Sequence, residues 1–279
     1  MAPSPQAKVW LDSELVDAAD ARVSVFDHGL TVGDGVFETL RAYASKPFAA
    51  RRHLERLQAS AAGLGLGLPP VHVLRQALDD VLAANGLADA ALRITVTGGA
   101  GPLGTARGTA GPTVVVVAAQ LVPWPLTADV AVVPWPRNER GAMAGLKTIS
   151  YGENVVALRW AVERGADEAV FANLVGNLCE GTATNVFVGT DGELATPPLS
   201  SGCLAGVTRG LVVEACGAVE RDLSPADLLA ADEAFLTSTT REVQPIRAVD
   251  GKTLPAAPGP MTREAAKALA AVVAHDDDP

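Results

Sequence analysis

The sequence predicts a mixed α/β (α+β) fold built in two halves. Short β-prone runs alternate with segments of helical period along the whole chain. A Pro-Trp-Pro stretch, Pro123-Trp124-Pro125, interrupts that alternation, after which the pattern restarts. At 279 residues the chain suits one large domain or two ordinary ones, and 48% hydrophobic against 19% charged residues supports a sizeable core. The predicted layout is an N-terminal α/β domain over 1–119, a linker over 120–128 and a C-terminal α/β domain over 129–279.

In the first half, Lys8–Leu11, Arg22–Phe26 and Val36–Tyr43 are short runs rich in Val, Phe and Leu, divided by Asp, Gly and Ser, and predict strands. Arg51–Ala62 places Leu54, Leu57 and Ala61 on one helical face. Val71–Asn85 does the same with Leu74, Leu78, Val81 and Leu82, and Gly86 supplies its stop. Leu92–Thr97 and Thr113–Ala119 predict buried strands around a Gly-rich loop, 98–112. In the second half a strand at Val130–Val133 leads through an irregular loop to a helix at Gly152–Arg164. Strands follow at Ala169–Asn173, Thr184–Val188, Glu193–Thr196 and Ala234–Thr237. Helices follow at Val207–Cys216, at Pro225–Ala230 with Ser224 as cap, and at Thr262–Ala274.

Net charge is −10 and the pI near 4.9, so a nucleic-acid or anionic-membrane surface is not expected, since both need a basic field. The N-terminal ten residues lack a signal-peptide layout, and no apolar run approaches the ~20 residues of a membrane span. Three cysteines without CxxC spacing and four scattered histidines predict reduced thiols, a cytoplasmic location and no metal site. Asp276-Asp277-Asp278 reads as a frayed, solvated tail.

Among five lysines, Lys147 stands out because it lies in the apolar run Ala144–Ile149 just before a helix; burial there suits an amine to Schiff-base chemistry, although a lysine snorkelling out of a loop fits the same residues. Glu180 precedes a strand and would serve a buried cation or rim a turn. Gly206-Val207-Thr208 opens a helix whose free N–H groups suit an anion, or are capped by Thr208. Thr237-Ser238-Thr239-Thr240 groups hydroxyls after a strand. Arg56 by default is a solvated helix charge.

In order, these segments form a pattern. Gly33–Thr39, His53–Leu57, Leu146–Tyr151, Glu180–Phe187, Gly206–Arg209 and Thr237–Thr240 together resemble the class-IV (fold-type IV) pyridoxal-phosphate enzymes over roughly Val9 to Arg247. That family includes branched-chain and D-amino-acid aminotransferases and 4-amino-4-deoxychorismate lyase. The resemblance implies a two-domain, D-amino-acid-aminotransferase-like fold, a homodimer and a small-molecule substrate. It makes Lys147 the residue that binds the cofactor covalently and moves the proton, and Glu180 the partner of the pyridine nitrogen. Arg56, Val207, Thr208 and Thr239 would hold the phosphate, Tyr151 the phenolic oxygen with Asn185 nearby, and Phe37, Thr240 and Arg241 would border the substrate.

Within the family, Asp34 and Thr39 look like the lyase and D-amino-acid branches, and Gly98 stands where D-amino-acid enzymes carry a carboxylate-trapping arginine. Arg241 replaces a small residue, and would meet a substrate carboxylate or face solvent. These details favour 4-amino-4-deoxychorismate lyase, which releases pyruvate and 4-aminobenzoate on the route to folate, over an aminotransferase for branched-chain or D-amino acids or amines. A non-catalytic binding protein on the same fold would be expected to lose Lys147 or Glu180, and both are present.

Overall fold

The computed structural model describes residues 7–279; the first six residues of the segment judged unlike a signal peptide lie outside them. The chain divides into two compact units. The first holds the described residues up to Val122 together with Leu146–Ser150 and Asp276–Pro279. The second holds Pro123–Gly145 and Tyr151–His275. Lys147, which the sequence places in the C-terminal half, therefore lies in the first unit.

The first unit contains β1 (Lys8–Leu11), β2 (Glu14–Asp17), a one-turn α1 (His28–Thr31), β3 (Gly35–Tyr43), β4 (Lys46–Pro47), α2 (Ala50–Leu64), α3 (Val71–Asn85), β5 (Ala90–Thr97) and β6 (Thr113–Gln120). Its six strands form an antiparallel sheet in the order β2-β1-β6-β5-β3-β4. Val36, Leu40 and Ala42, on one face of β3, join the core with Leu54, Leu57 and Ala61 of α2 and Leu74, Leu78 and Val81 of α3. This is the period-2 and period-3.6 patterning of the sequence turned into one apolar layer.

Two expectations fail here. Arg22–Phe26 forms no strand: it joins no sheet, and Val25 and Phe26 are exposed. β2, whose Leu15 and Val16 are flanked by the acidic Glu14 and Asp17, forms instead because it can fold straight back on β1. The acidic tail is also docked rather than frayed. Asp277 pairs with Lys46 at 2.8 Å, Asp278 pairs with Arg75 at 2.6 Å and accepts the Arg51 amide, and Arg51 and Arg52 donate to the Pro279 oxygen.

The second unit contains β7 (Ala128–Val132), α4 (Gly152–Val162), β8 (Glu168–Ala172), β9 (Leu178–Gly181), β10 (Asn185–Thr190), β11 (Glu193–Thr196), α5 (Val207–Cys216), β12 (Val219–Glu220), α6 (Pro225–Ala230), β13 (Glu233–Ser238), β14 (Glu242–Val249), β15 (Lys252–Thr253) and α7 (Pro260–His275). Its mixed sheet runs β12-β11-β10-β13-β14-β7-β8-β9, with β15 on β14. Phe187 and Phe235 stack at 4.8 Å and pack with Val212 and Ala265 under α5 and α7. Ser224 and Asp227 close a capping box on α6, as the Ser-Pro start suggests. β9 and β14, and the two-residue β12 and β15, are strands that the sequence reading lacks.

Candidate active site

The first unit carries Lys147 on a short segment laid against β3. The Phe37 amide donates to the Lys147 carbonyl at 3.1 Å, the Ile149 amide donates to the Gly35 carbonyl at 3.0 Å, and Thr148 bridges Val36. The Lys147 amide donates to Ser60 Oγ of α2 at 3.0 Å. Leu146 lies so close to Gly63 that a Cβ there would come within 2.7 Å of it. The segment is thus fixed at four successive residues, and the amine it presents stands 4.3 Å from the centre of the Phe37 ring. The Arg93 guanidinium lies 3.7 Å from the same ring. Arg93, which the sequence reading passed over, places a second cation at Phe37.

Arg56 is no solvated helix charge. Its side chain is 12% exposed, and its Nε and Nη2 donate to the two carboxylate oxygens of Glu38, each at 2.7 Å. His53 Nδ1 lies 2.7 Å from Glu38 Oε2, the second oxygen. Burial alone would raise the Glu38 pKa, but the Arg56 charge, its hydrogen bonds and the His53 contact outweigh that and hold it at about 2. Burial lowers the pKa of His53, against the pull of Glu38. Glu38 was legible as an anomaly, because Val36, Leu40 and Ala42 mark its strand face as core, where a charge needs a partner.

Asp34 and Gly98 also belong together. Arg107 of the Gly-rich loop grips Asp34 through Nε at 2.6 Å and Nη2 at 2.7 Å, and donates to the Leu64 and Gly65 carbonyls at the end of α2. These hydrogen bonds lower the Asp34 pKa. A Cβ on Gly98 would stand 2.3 Å from Asp34 Oδ2. Both residues thus have a packing reason to be what they are, independent of reaction type.

In the second unit, Glu180 lies on β9. Its Oε2 accepts the Leu204 amide at 2.8 Å, and its Oε1 stands 3.6 Å from Arg137 Nε. Arg137, another residue that the sequence reading missed, lies over the Phe171 ring at 4.1 Å and pairs with Glu153. Asn185 supports the turn into α5: its Nδ2 donates to the Leu204 carbonyl at 2.9 Å, and its Oδ1 lies 2.0 Å from where a Cβ on Gly206 would stand. Only glycine fits that approach. α5 starts at Val207 and Thr208 with no side-chain cap, so Thr208 does not cap it as an alternative reading allowed, and its first N–H groups are of the kind that suit an anion. The orphaned, buried Thr237 hydroxyl adds a polar atom at the end of β13. These features fit a phosphate-bearing cofactor.

Tyr151 occupies the N-cap position of α4. Thr239 and Thr240 form the β13–β14 turn, and Thr240 Oγ1 accepts from Trp124 Nε1 at 3.3 Å. Arg241 does not face solvent. Its guanidinium donates to Glu168 at 2.8 Å and to Gln244 at 2.9 Å, and lies over the Trp124 ring at 4.0 Å. Among the described residues no cluster of His, Cys, Asp or Glu could hold a metal ion, and no helix is long and apolar enough to cross a membrane.

A model of the amino-transferase class IV family matches residues 35–249. A Methanocaldococcus jannaschii protein, provisionally named a branched-chain-amino-acid aminotransferase, is 36% identical over 88% of this chain and 89% of its own length. The D-alanine aminotransferase of Bacillus licheniformis is 31% identical over 94% of this chain and 95% of its own. Among solved structures, the branched-chain aminotransferase of Thermoproteus uzoniensis with norvaline superposes with a TM-score of 0.88 at 34% identity, covering 95% of this chain and 94% of that one. Another branched-chain aminotransferase, solved with pyridoxamine 5'-phosphate, gives 0.89 at 27%, over 97% and 95%. A protein of Legionella pneumophila, provisionally named 4-amino-4-deoxychorismate lyase, gives 0.86 at 25%, over 91% and 97%.

Proposed function

The chain belongs to the class-IV aminotransferases, a pyridoxal-phosphate family, and on that premise we propose that it is an aminotransferase acting on branched-chain or D-amino acids. The observation that carries this reading is the likeness, over about nine-tenths of the chain, to relatives named for those two activities. The lyase reading built on Asp34, Thr39 and Gly98 gives way to it. Lyase chemistry enters through a solved neighbour at 25% identity, and the close approach of Gly98 to Asp34, which Arg107 grips, is a packing relation independent of reaction type.

Pyridoxal phosphate supplies an aldehyde that joins amines and a ring that accepts electrons. In the proposed roles, Lys147 holds that aldehyde and then moves a proton at the amine-bearing carbon of the substrate. Its backbone, pinned to β3 and Ser60, keeps the amine in place between these tasks. Glu180, anchored by the Leu204 amide, holds a proton on the ring nitrogen. Arg56, the Val207 and Thr208 amides and Thr239 hold the phosphate. Tyr151 binds the phenolic oxygen, Asn185 holds the turn before α5, and Phe37 and Thr240 border the substrate. Arg241, engaged by Glu168 and Gln244, supports the β13–β14 turn in this reading.

The exposed Val25, Phe26, Leu30 and Leu103 support a homodimer, and three free thiols fit a cytoplasmic enzyme. The test of function is a substrate panel. L-leucine, L-valine and D-alanine are each supplied with 2-oxoglutarate, and aminodeoxychorismate is supplied alone. Brisk transfer from an amino acid supports the reading; pyruvate release from aminodeoxychorismate with no transfer overturns it.

A further inference from the structure

Glu38 is a full negative charge with no exposed surface, on the core-facing side of β3. Burying a carboxylate is costly unless every lone pair finds a donor. Here three donors converge: Nε and Nη2 of Arg56, and Nδ1 of His53. An ionised carboxylate only accepts, so His53 is the Nδ1–H tautomer and donates. Its own ring is buried and its pKa lowered by that burial, so it serves as a neutral strut. His53 and Arg56 stand three residues apart on α2, neighbours on one face, and Glu38 reaches both from the adjacent strand.

We propose that Glu38, seated by His53, is a positioning residue for Arg56, fixing the guanidinium in the orientation from which it grips the cofactor phosphate. The inference rests on the reading of Arg56 as a phosphate ligand. An arginine side chain has many rotamers to lose, and a two-point grip on one edge removes that freedom before the phosphate arrives. The fork geometry matters as much as the charge, since a guanidinium and a carboxylate meeting edge to edge hold a fixed plane.

This role differs in sign from simple charge balance. If Glu38 only neutralised Arg56, removing its charge would leave a stronger cation and tighten phosphate binding. If Glu38 positions Arg56, the same change loosens it. A role in folding alone would affect ligands with and without a phosphate alike.

Holoenzyme of the wild type, Glu38→Gln and Arg56→Ala is resolved and reloaded with pyridoxal 5'-phosphate or with pyridoxal, and dissociation constants are read from absorbance. The expected result for Glu38→Gln is at least tenfold weaker binding of pyridoxal 5'-phosphate, with pyridoxal affinity within twofold of wild type. Unchanged or tighter phosphate-ester binding, or equal losses for both ligands, overturns the proposal. Should Glu38→Gln fail to fold, Glu38→Asp keeps the charge on a shorter arm and should show the same selective loss in smaller measure; its absence counts against positioning. If Arg56→Ala itself shows no phosphate-selective loss, the underlying reading of Arg56 fails. If Arg56→Ala shows that loss and the Glu38 variants do not, only the positioning role fails.

Discussion

The Arg51 amide donates to the Asp278 carboxylate at 2.6 Å, so α2 is capped by a residue 227 positions away. The helix has no side-chain cap of its own, because its N-cap residue is Ala49 in a left-handed conformation. An acidic group is favoured there by the helix dipole as well as by the orphan amide. Asp278→Ala should therefore cost about 1 kcal/mol, which lowers the melting temperature by roughly 2–4 °C in a chain of this size. Thermal melts of the variant check this. An unchanged melting temperature would return the tail to the solvated state that its composition suggests.

The Glu38 cluster makes a specific pH prediction. Its folded pKa of about 2 lies below the ordinary glutamate value of 4.5, so the contribution is complete above the ordinary value and drains away as pH falls toward the folded one. Wild type should be more stable than Glu38→Gln near neutrality, by a few kcal/mol in order of magnitude. Denaturant titrations between about pH 5 and pH 2.5 should show that gap narrowing. A gap independent of pH would place the effect of the variant elsewhere.

Two of the three thiols should be silent. Burial pushes the Cys179 thiol far up, and the Cys203 thiol up to about 11, with the charge of Glu180 adding to both. Thiolate is the reactive form, so native protein treated with iodoacetamide at about pH 8 should be labelled at the half-buried Cys216 first. Mass spectrometry showing early label on Cys179 or Cys203 would contradict the packing around them.

Glu180→Gln should keep cofactor but lose activity on the order of a hundredfold or more, because an amide cannot hold the ring proton that the carboxylate does. Steady-state rates at saturating cofactor measure this, and a near wild-type rate would remove Glu180 from its assigned role.

What the sequence conveyed follows from where its signals are local. The amphipathic periods of α2 and α3, the Ser224 cap of α6 and the glycine before α5 are each written within a few residues, and each is found. β14 was missed because Pro245 counts against a strand. In the sheet Pro245 faces Phe235 of β13, and pairing with β7 begins only at Ile246, so no ladder bond to β7 needs its missing N–H. The Arg22–Phe26 run has strand-like alternation but no strand to join, which no local pattern reveals. Within the site, Lys147 and Glu180 stand out by motif. Glu38 shows in the sequence only as a charge on a core face; that it grips Arg56, and that the Leu204 amide and Arg137 meet Glu180, needs the fold to be seen. Asp34 and Gly98 were visible, but the close approach of one to the other, and the grip of Arg107 on Asp34, are tertiary facts.

The central claim is amino-group transfer, and the most direct measurement is product stoichiometry without an acceptor. Holoenzyme mixed with excess L-leucine or D-alanine, and no keto acid, should release one equivalent of the matching keto acid per active site and stop. Adding 2-oxoglutarate should restart release and give sustained turnover. Continued multi-turnover release of pyruvate from aminodeoxychorismate without any acceptor, together with no burst from either amino acid, would contradict the account.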